Sequence, residues 1–135
     1  MSEGGCLCGA VRYQTAGEPQ AKALCHCLDC HKISGSTYST NMIVPADGFS
    51  LTKGKPKLFP KTADSGQTIT SFFCGDCGTT LWRETVTYGN TKIVKCGTLD
   101  GTRALEHVKP AVELFVKNRP SWVPALVDAT QNEAS

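Results

Sequence analysis

Seven of the eight cysteines fall into three tight clusters: Cys6-Leu7-Cys8, the run from Cys25 through Cys27 to Cys30, and Cys74-Gly75-Asp76-Cys77. Cys96 stands apart. Thiolates so closely spaced suit a borderline-soft cation, and zinc takes four such ligands in a tetrahedron with Zn–S near ~2.3 Å. A Cys-x-x-Cys turn bends the backbone until both sulfurs converge on one ion. Gly5, Gly9, Gly75 and Gly78 supply the tight turns and close backbone approach that such loops need.

Seven clustered ligands divide most simply as four plus three. Pairing Cys6 and Cys8 with Cys74 and Cys77 closes one site and ties the N-terminus to the middle of the chain. Cys25, Cys27 and Cys30 then leave a fourth position open, as catalytic zinc sites do and structural ones do not. Other readings stay open at this level. Cys96, His26, His31 or His107 could close the second site, the even cysteine count could be a disulfide framework, and the basic Lys53, Lys55, Lys57, Lys61 stretch could belong to a nucleic-acid-binding zinc ribbon. The close spacings and the absence of a signal-peptide pattern oppose disulfides. Only Phe59 is available among those lysines to stack on a base, so a solvated basic face is expected there.

The elements that must position these clusters are short. The chain has 135 residues, enough for one domain, and its 13 glycines and 7 prolines cut it into brief segments. Strands are expected over 9–15, 22–26, 38–44, 49–52, 57–60, 68–73, 80–83, 92–96 and 112–116, with turns of Gly, Pro, Asp and Asn between them. In the 112–116 strand Val112, Leu114 and Val116 are expected on one face, alternating with Glu113 and Phe115. Single helical turns fit 31–34 and 102–107. The pattern is mainly β and mostly antiparallel. A zinc-binding domain over 1–127 and a disordered tail over 128–135 are expected, the tail being small and polar.

A net charge of +2 and a pI near 8.1 do not favour a nucleic-acid partner. No segment approaches the roughly 18 apolar residues of a membrane span. A cytoplasmic protein is expected, in a reducing compartment where clustered thiols point to metal or catalysis.

The string Gly4-Gly5-Cys6-Leu7-Cys8-Gly9-Ala10-Val11-Arg12-Tyr13 resembles the opening motif of the glutathione-dependent formaldehyde-activating family, which includes centromere protein V. Cys25-His26-Cys27-x-x-Cys30 followed by Gly35-Ser36, and Phe73-Cys74-x-x-Cys77-Gly78-Thr79-x-Leu81, are similar to its second and third motifs in order and spacing. The resemblance implies an antiparallel β-tent, similar to the Mss4-like fold, with two zinc ions per chain. It implies a structural zinc at Cys6, Cys8, Cys74 and Cys77 and a catalytic one at Cys25, Cys27 and Cys30. The implied activity is that of a carbon–sulfur lyase joining glutathione to formaldehyde, with a small-molecule thiol and an aldehyde or thiol adduct as partners. His26 and His31 are then the nearest groups to carry a proton or to orient a ligand, and Lys32, Lys53 or Arg83 could bind the carboxylates of glutathione.

Overall fold

Short runs of β-branched and aromatic residues stopped by turn formers give strands rather than helices. The computed structural model describes residues 1–63 and 66–135. Its strands are, in order, β1 (Ser2–Gly5), β2 (Arg12–Thr15), β3 (Ala21–Cys25), β4 (Ser39–Pro45), β5 (Phe49–Lys53) and β6 (Lys57–Thr62). They continue with β7 (Thr68–Phe73), β8 (Thr80–Thr85), β9 (Thr91–Lys95), β10 (Val112–Leu114) and β11 (Thr130–Gln131). One α-helix, α1 (Leu28–Ser34), and several 3-10 turns complete the described residues.

The strands make two sheets. A three-stranded antiparallel sheet has the order β1-β2-β5, and a larger sheet has the order β11-β10-β3-β4-β9-β8-β7-β6. Pairing in the larger sheet is antiparallel except at β10, which runs parallel to both β3 and β11. Two elements were not expected from the sequence. β1 pairs with β2 through its glycines, Gly4 opposite Tyr13 and Gly5 opposite Arg12. The segment expected to be a disordered tail instead supplies β11, with Val112 opposite Thr130 and Glu113 opposite Gln131.

Because side chains alternate across a strand, the larger sheet sorts its residues onto two faces. On one face Met42, Val44, Trp82 and Val94 are buried and pack with Val11 and Tyr13, together with Cys6, Cys74 and Cys96. Tyr13 stacks on Phe49 at 5.3 Å, Phe49 meets Trp82 at 4.8 Å, and Trp82 stacks on Phe72 at 4.7 Å. Lys92 Nζ lies about 6 Å from all three of the Phe49, Phe72 and Trp82 rings while donating to Glu84 Oε2 at 2.6 Å. This is the core. The register places Ala23 opposite Asn41, Asn41 opposite Lys95, Ile43 and Arg83 opposite Ile93, and Ile69 opposite Thr85, all on the other face.

Candidate functional site

The two outer cysteine motifs meet at the edge of the core. Cys6, Cys8, Cys74 and Cys77 bring their sulfurs within 4.8 Å of one another. In a tetrahedron with a metal–sulfur distance of about 2.3 Å, sulfurs lie about 3.8 Å apart. Cys6 Sγ to Cys8 Sγ and Cys8 Sγ to Cys74 Sγ are each 3.7 Å. A disulfide would need about 2.05 Å, so these separations fit sulfurs around one ion and not bonded pairs. The turns are alike: Gly9 and Gly78, each directly after the second cysteine of its pair, take φ of 82° and 81°, a region that favours glycine. Gly9 N–H donates to Cys6 O, and Gly78 N–H to Cys74 O. Backbone N–H groups of Val11 and Asp76 donate to Cys6 Sγ at 3.2 Å and to Cys74 Sγ at 3.4 Å. Thr79 bonds to Cys77 Sγ and brings that thiol down to about 5.

The middle motif lies on the opposite face of the larger sheet. Cys25 ends β3, Cys27 caps the N-terminus of α1, and Cys30 sits in its first turn. Cys27 Sγ accepts the Cys30 N–H at 3.3 Å, and the helix stops at Gly35 in the left-handed conformation. The three sulfurs lie within 4.8 Å of one another, and among the described residues no His, Cys, Asp or Glu atom joins them as a fourth. Three crowded sulfurs cannot all ionise unaided. Hydrogen bonds from Cys25 and Cys27 hold Cys30 far down, and Cys27 and Cys30 in turn push Cys25 far up. A dication removes this conflict, so the donor set fits a metal ion with room for one more ligand.

A cavity of about 110 Å³ adjoins the three sulfurs. Its walls are mainly apolar, with Ile43, Ile69, Ile93, Leu114 and Phe115 among them. Two cations reach it, Lys95 and Arg83. Lys95 Nζ donates to Asn41 Oδ1 at 2.6 Å, and Arg83 Nε donates to Ser71 Oγ at 3.0 Å. Burial lowers the Lys95 ammonium, while the negative charge of Cys30 opposes that shift. Arg83 also stands 3.6 Å from Asp29 of α1, to which Lys61 is paired. A more open hollow of about 350 Å³, lined by Met1, Asp100 and His107 among others, lies away from both cysteine groups.

Of the other residues singled out in the sequence, Arg83 lines the cavity, whereas Lys32 is exposed on α1 and Lys53 is exposed in the three-stranded sheet. Neither lysine is among the lining residues. His26 and His31 do not line it either. His26 is fully buried, with Nε2 2.7 Å from Glu113 Oε1. His26 Nδ1 and His31 Nε2 are buried without a hydrogen-bond partner among the described residues. Cys96 is buried in the core and outside both cysteine groups.

Glu113 and Lys95 are the residues the sequence did not single out for a role. In β10 it is Glu113, only 1% exposed, that points inward, while Val112 and Leu114 are half-buried. The expected alternation holds over β10, and it is the carboxylate rather than the aliphatic residues that it buries. Glu113 accepts from His26, from the Leu126 N–H at 2.7 Å and from Gln131 Nε2 at 2.7 Å. Burial alone would raise this carboxyl, but the hydrogen bonds outweigh it and hold it below the usual range. Glu113→Ala leaves those donors unpaired, at a cost of about 3–5 kcal/mol. The expected result is a lower melting temperature together with faster loss of metal from the middle motif, read by timed chelation. Unchanged chelation kinetics would show that the pair does not hold the Cys25–Cys27 loop.

The mainly β domain thus presents one four-cysteine cluster at the edge of its core and one three-cysteine cluster opening on a cavity, each of which could hold a metal ion. The chain belongs to the glutathione-dependent formaldehyde-activating enzyme family, whose model matches residues 1–118. A Halomonas elongata protein provisionally named glutathione-dependent formaldehyde-activating enzyme is 26% identical over 127 residues, covering 91% of this chain and 80% of that protein. A Penicillium rubens protein with the same provisional name is 40% identical over 58 residues, covering 43% of this chain and only 29% of its own length. A Rhodobacter sphaeroides crystal structure shares the fold at a TM-score of 0.62 and 17% identity, covering 80% of this chain and 96% of that one. Among the described residues no helix is long and apolar enough to cross a membrane.

Proposed function

We propose that this protein is a zinc-dependent carbon–sulfur lyase that reversibly joins a thiol such as glutathione to an aldehyde. Two zinc ions per chain are required, a structural one at Cys6, Cys8, Cys74 and Cys77 and a reactive one at Cys25, Cys27 and Cys30. The observation that carries this reading is the inequality of the two groups: four sulfurs gather at the edge of the core, with Cys6 and Cys74 inside it, whereas three sulfurs, joined by no fourth His, Cys, Asp or Glu among the described residues, face a cavity. Zinc held by three thiolates lowers the pKa of an incoming thiol and keeps its sulfur nucleophilic.

The chain's own residues supply the rest. Three cysteine thiolates, a dication and a fourth sulfur sum to a charge of −2, and Lys95 and Arg83 bring the opposite charge to the same cavity. The apolar wall excludes water from the carbonyl. His26, turned onto Glu113, positions the peptide between Cys25 and Cys27 rather than meeting substrate. A reducing cytoplasm keeps the thiols available.

Cobalt in place of the reactive zinc tests this through a thiolate charge-transfer band that grows with each sulfur ligand. Glutathione is expected to strengthen the band, and S-methylglutathione, with no thiol proton to lose, is not. Equal responses, or none with glutathione, would leave a zinc-stabilised interaction module as the better account.

A further inference from the structure

We infer that the cavity beside Cys25, Cys27 and Cys30 selects an aldehyde carrying an aliphatic chain of about three or four carbons, rather than a one-carbon substrate. This inference rests on the thiol–aldehyde reading of the site. It starts from volume. About 110 Å³ is well below the roughly 300 Å³ at which clefts begin to enclose a drug-sized ligand. It is also about four times the share of one water, some 30 Å³. A tripeptide thiol therefore inserts its sulfur and leaves its γ-glutamyl and glycyl ends outside, while a hydroxymethyl group would leave most of the space unfilled.

The walls say what fills it. Ile43 of β4, Ile69 of β7, Ile93 of β9 and Leu114 of β10 converge on the cavity from four strands, joined by Phe115 just after β10. A polar one-carbon group gains nothing from such a wall. An alkyl chain does, because each buried methylene is worth about fourfold in affinity. The charged groups that reach the cavity already have partners: Lys95 bonds to Asn41 and Arg83 to Ser71. Arg83 also stands 3.6 Å from Asp29 of α1, and the aliphatic wall is left for the carbon chain.

The reaction itself is unchanged in kind. The thiol sulfur forms a bond to the carbonyl carbon as the carbon–oxygen π bond breaks, and the proton lost by the thiol ends on the new hydroxyl. No oxidant or reductant is needed. Only the substituent on that carbon differs.

Stable analogues of the adduct test the inference on the zinc-loaded full chain. In calorimetric titrations with S-methyl, S-propyl, S-butyl, S-hexyl and S-octyl glutathione, affinity is expected to rise about fourfold per methylene as far as butyl and then to fall. Ile93→Ala, which lengthens the cavity, is expected to move the optimum towards hexyl. A flat series, tightest binding of the methyl compound, or a rise continuing through octyl would overturn the inference, and the wild-type series decides this even if the variant does not fold. Because these thioethers have no proton to lose, the series is independent of the cobalt titration with glutathione. A cobalt response with a flat series sinks the chain-length selectivity alone, and a peaked series without a cobalt response sinks only the thiol-activation step.

Discussion

Cys74→Ser is expected to give insoluble or early-melting protein, whereas Cys27→Ser folds at close to the normal melting temperature and loses activity. Both replace one sulfur by oxygen, so the contrast comes from their surroundings. Cys74 is 1% exposed and packs in the same cluster as Tyr13, Leu81 and Trp82. A structural zinc in a small domain contributes about 10–16 kcal/mol, comparable to the entire stability of about 5–15 kcal/mol that such a domain has. Losing a ligand there removes much of the margin and leaves a poorly satisfied group in the core. Cys27 lies outside that cluster, at the N-cap of α1. Serine is itself a preferred N-cap and can keep the bond to the Cys30 N–H. What it loses is metal affinity, and activity is expected to fall by more than about 100-fold. Melting temperature, zinc content and turnover on the two variants check the assignment, and equal destabilisation would contradict it.

Lys95→Met is expected to weaken glutathione binding at least tenfold while sparing a neutral ligand such as imidazole. An opposite charge close to an anionic group favours its ionised form by about one to three pKa units, which for an incoming thiol means roughly tenfold or more in affinity. Lys95 faces the cavity that the three sulfurs line, and its charge acts on Cys30. The fold should tolerate the change. Asn41, which accepts from Lys95, remains anchored through Nδ2 to Ala23 O, Ser39 O and Ser39 Oγ. Lys95 is half-buried, and an apolar side chain of similar size keeps the contacts of its aliphatic stem. Lys95→Arg keeps the charge and is expected to bind glutathione more tightly than Lys95→Met. Parallel titrations of the cobalt-substituted variants with glutathione and imidazole read the difference, and an equal loss for both ligands would point to a damaged site rather than a missing charge.

The cysteine pairs and the triplet were legible in the sequence because the geometry within each motif is local. A Cys-x-x-Cys turn or a Cys-x-Cys strand end brings two sulfurs together by backbone conformation alone, and the glycines behind Cys8 and Cys77 report the left-handed turns. Most strands were legible too, since period-two patterning and turn residues act over a few positions; the Thr68–Phe73 strand has its expected bounds. β1 was not, because Ser2-Glu3-Gly4-Gly5 has no strand propensity and is held by pairing with β2. β11 was not, because a small polar segment is ordered only by its ladder to β10 and by Gln131 reaching Glu113. The roles of Glu113 and Lys95 needed the tertiary structure most. A carboxylate between Val112 and Leu114 reads as the solvent side of a strand until parallel pairing sets it opposite Leu24, on the face away from Cys25. The same alternation through Cys25-His26-Cys27 turns the imidazole away from the sulfurs flanking it. Lys95 reaches them only because β9 pairs with β4 in the register that sets it opposite Asn41. Sequence spacing thus determined which sulfurs gather within each motif, since that depends on neighbours along the chain, whereas the tertiary fold brings Cys8 and Cys74 to 3.7 Å. Strand order and register decided which charges and apolar walls face them, since those come from residues far apart in sequence that only the sheet brings together.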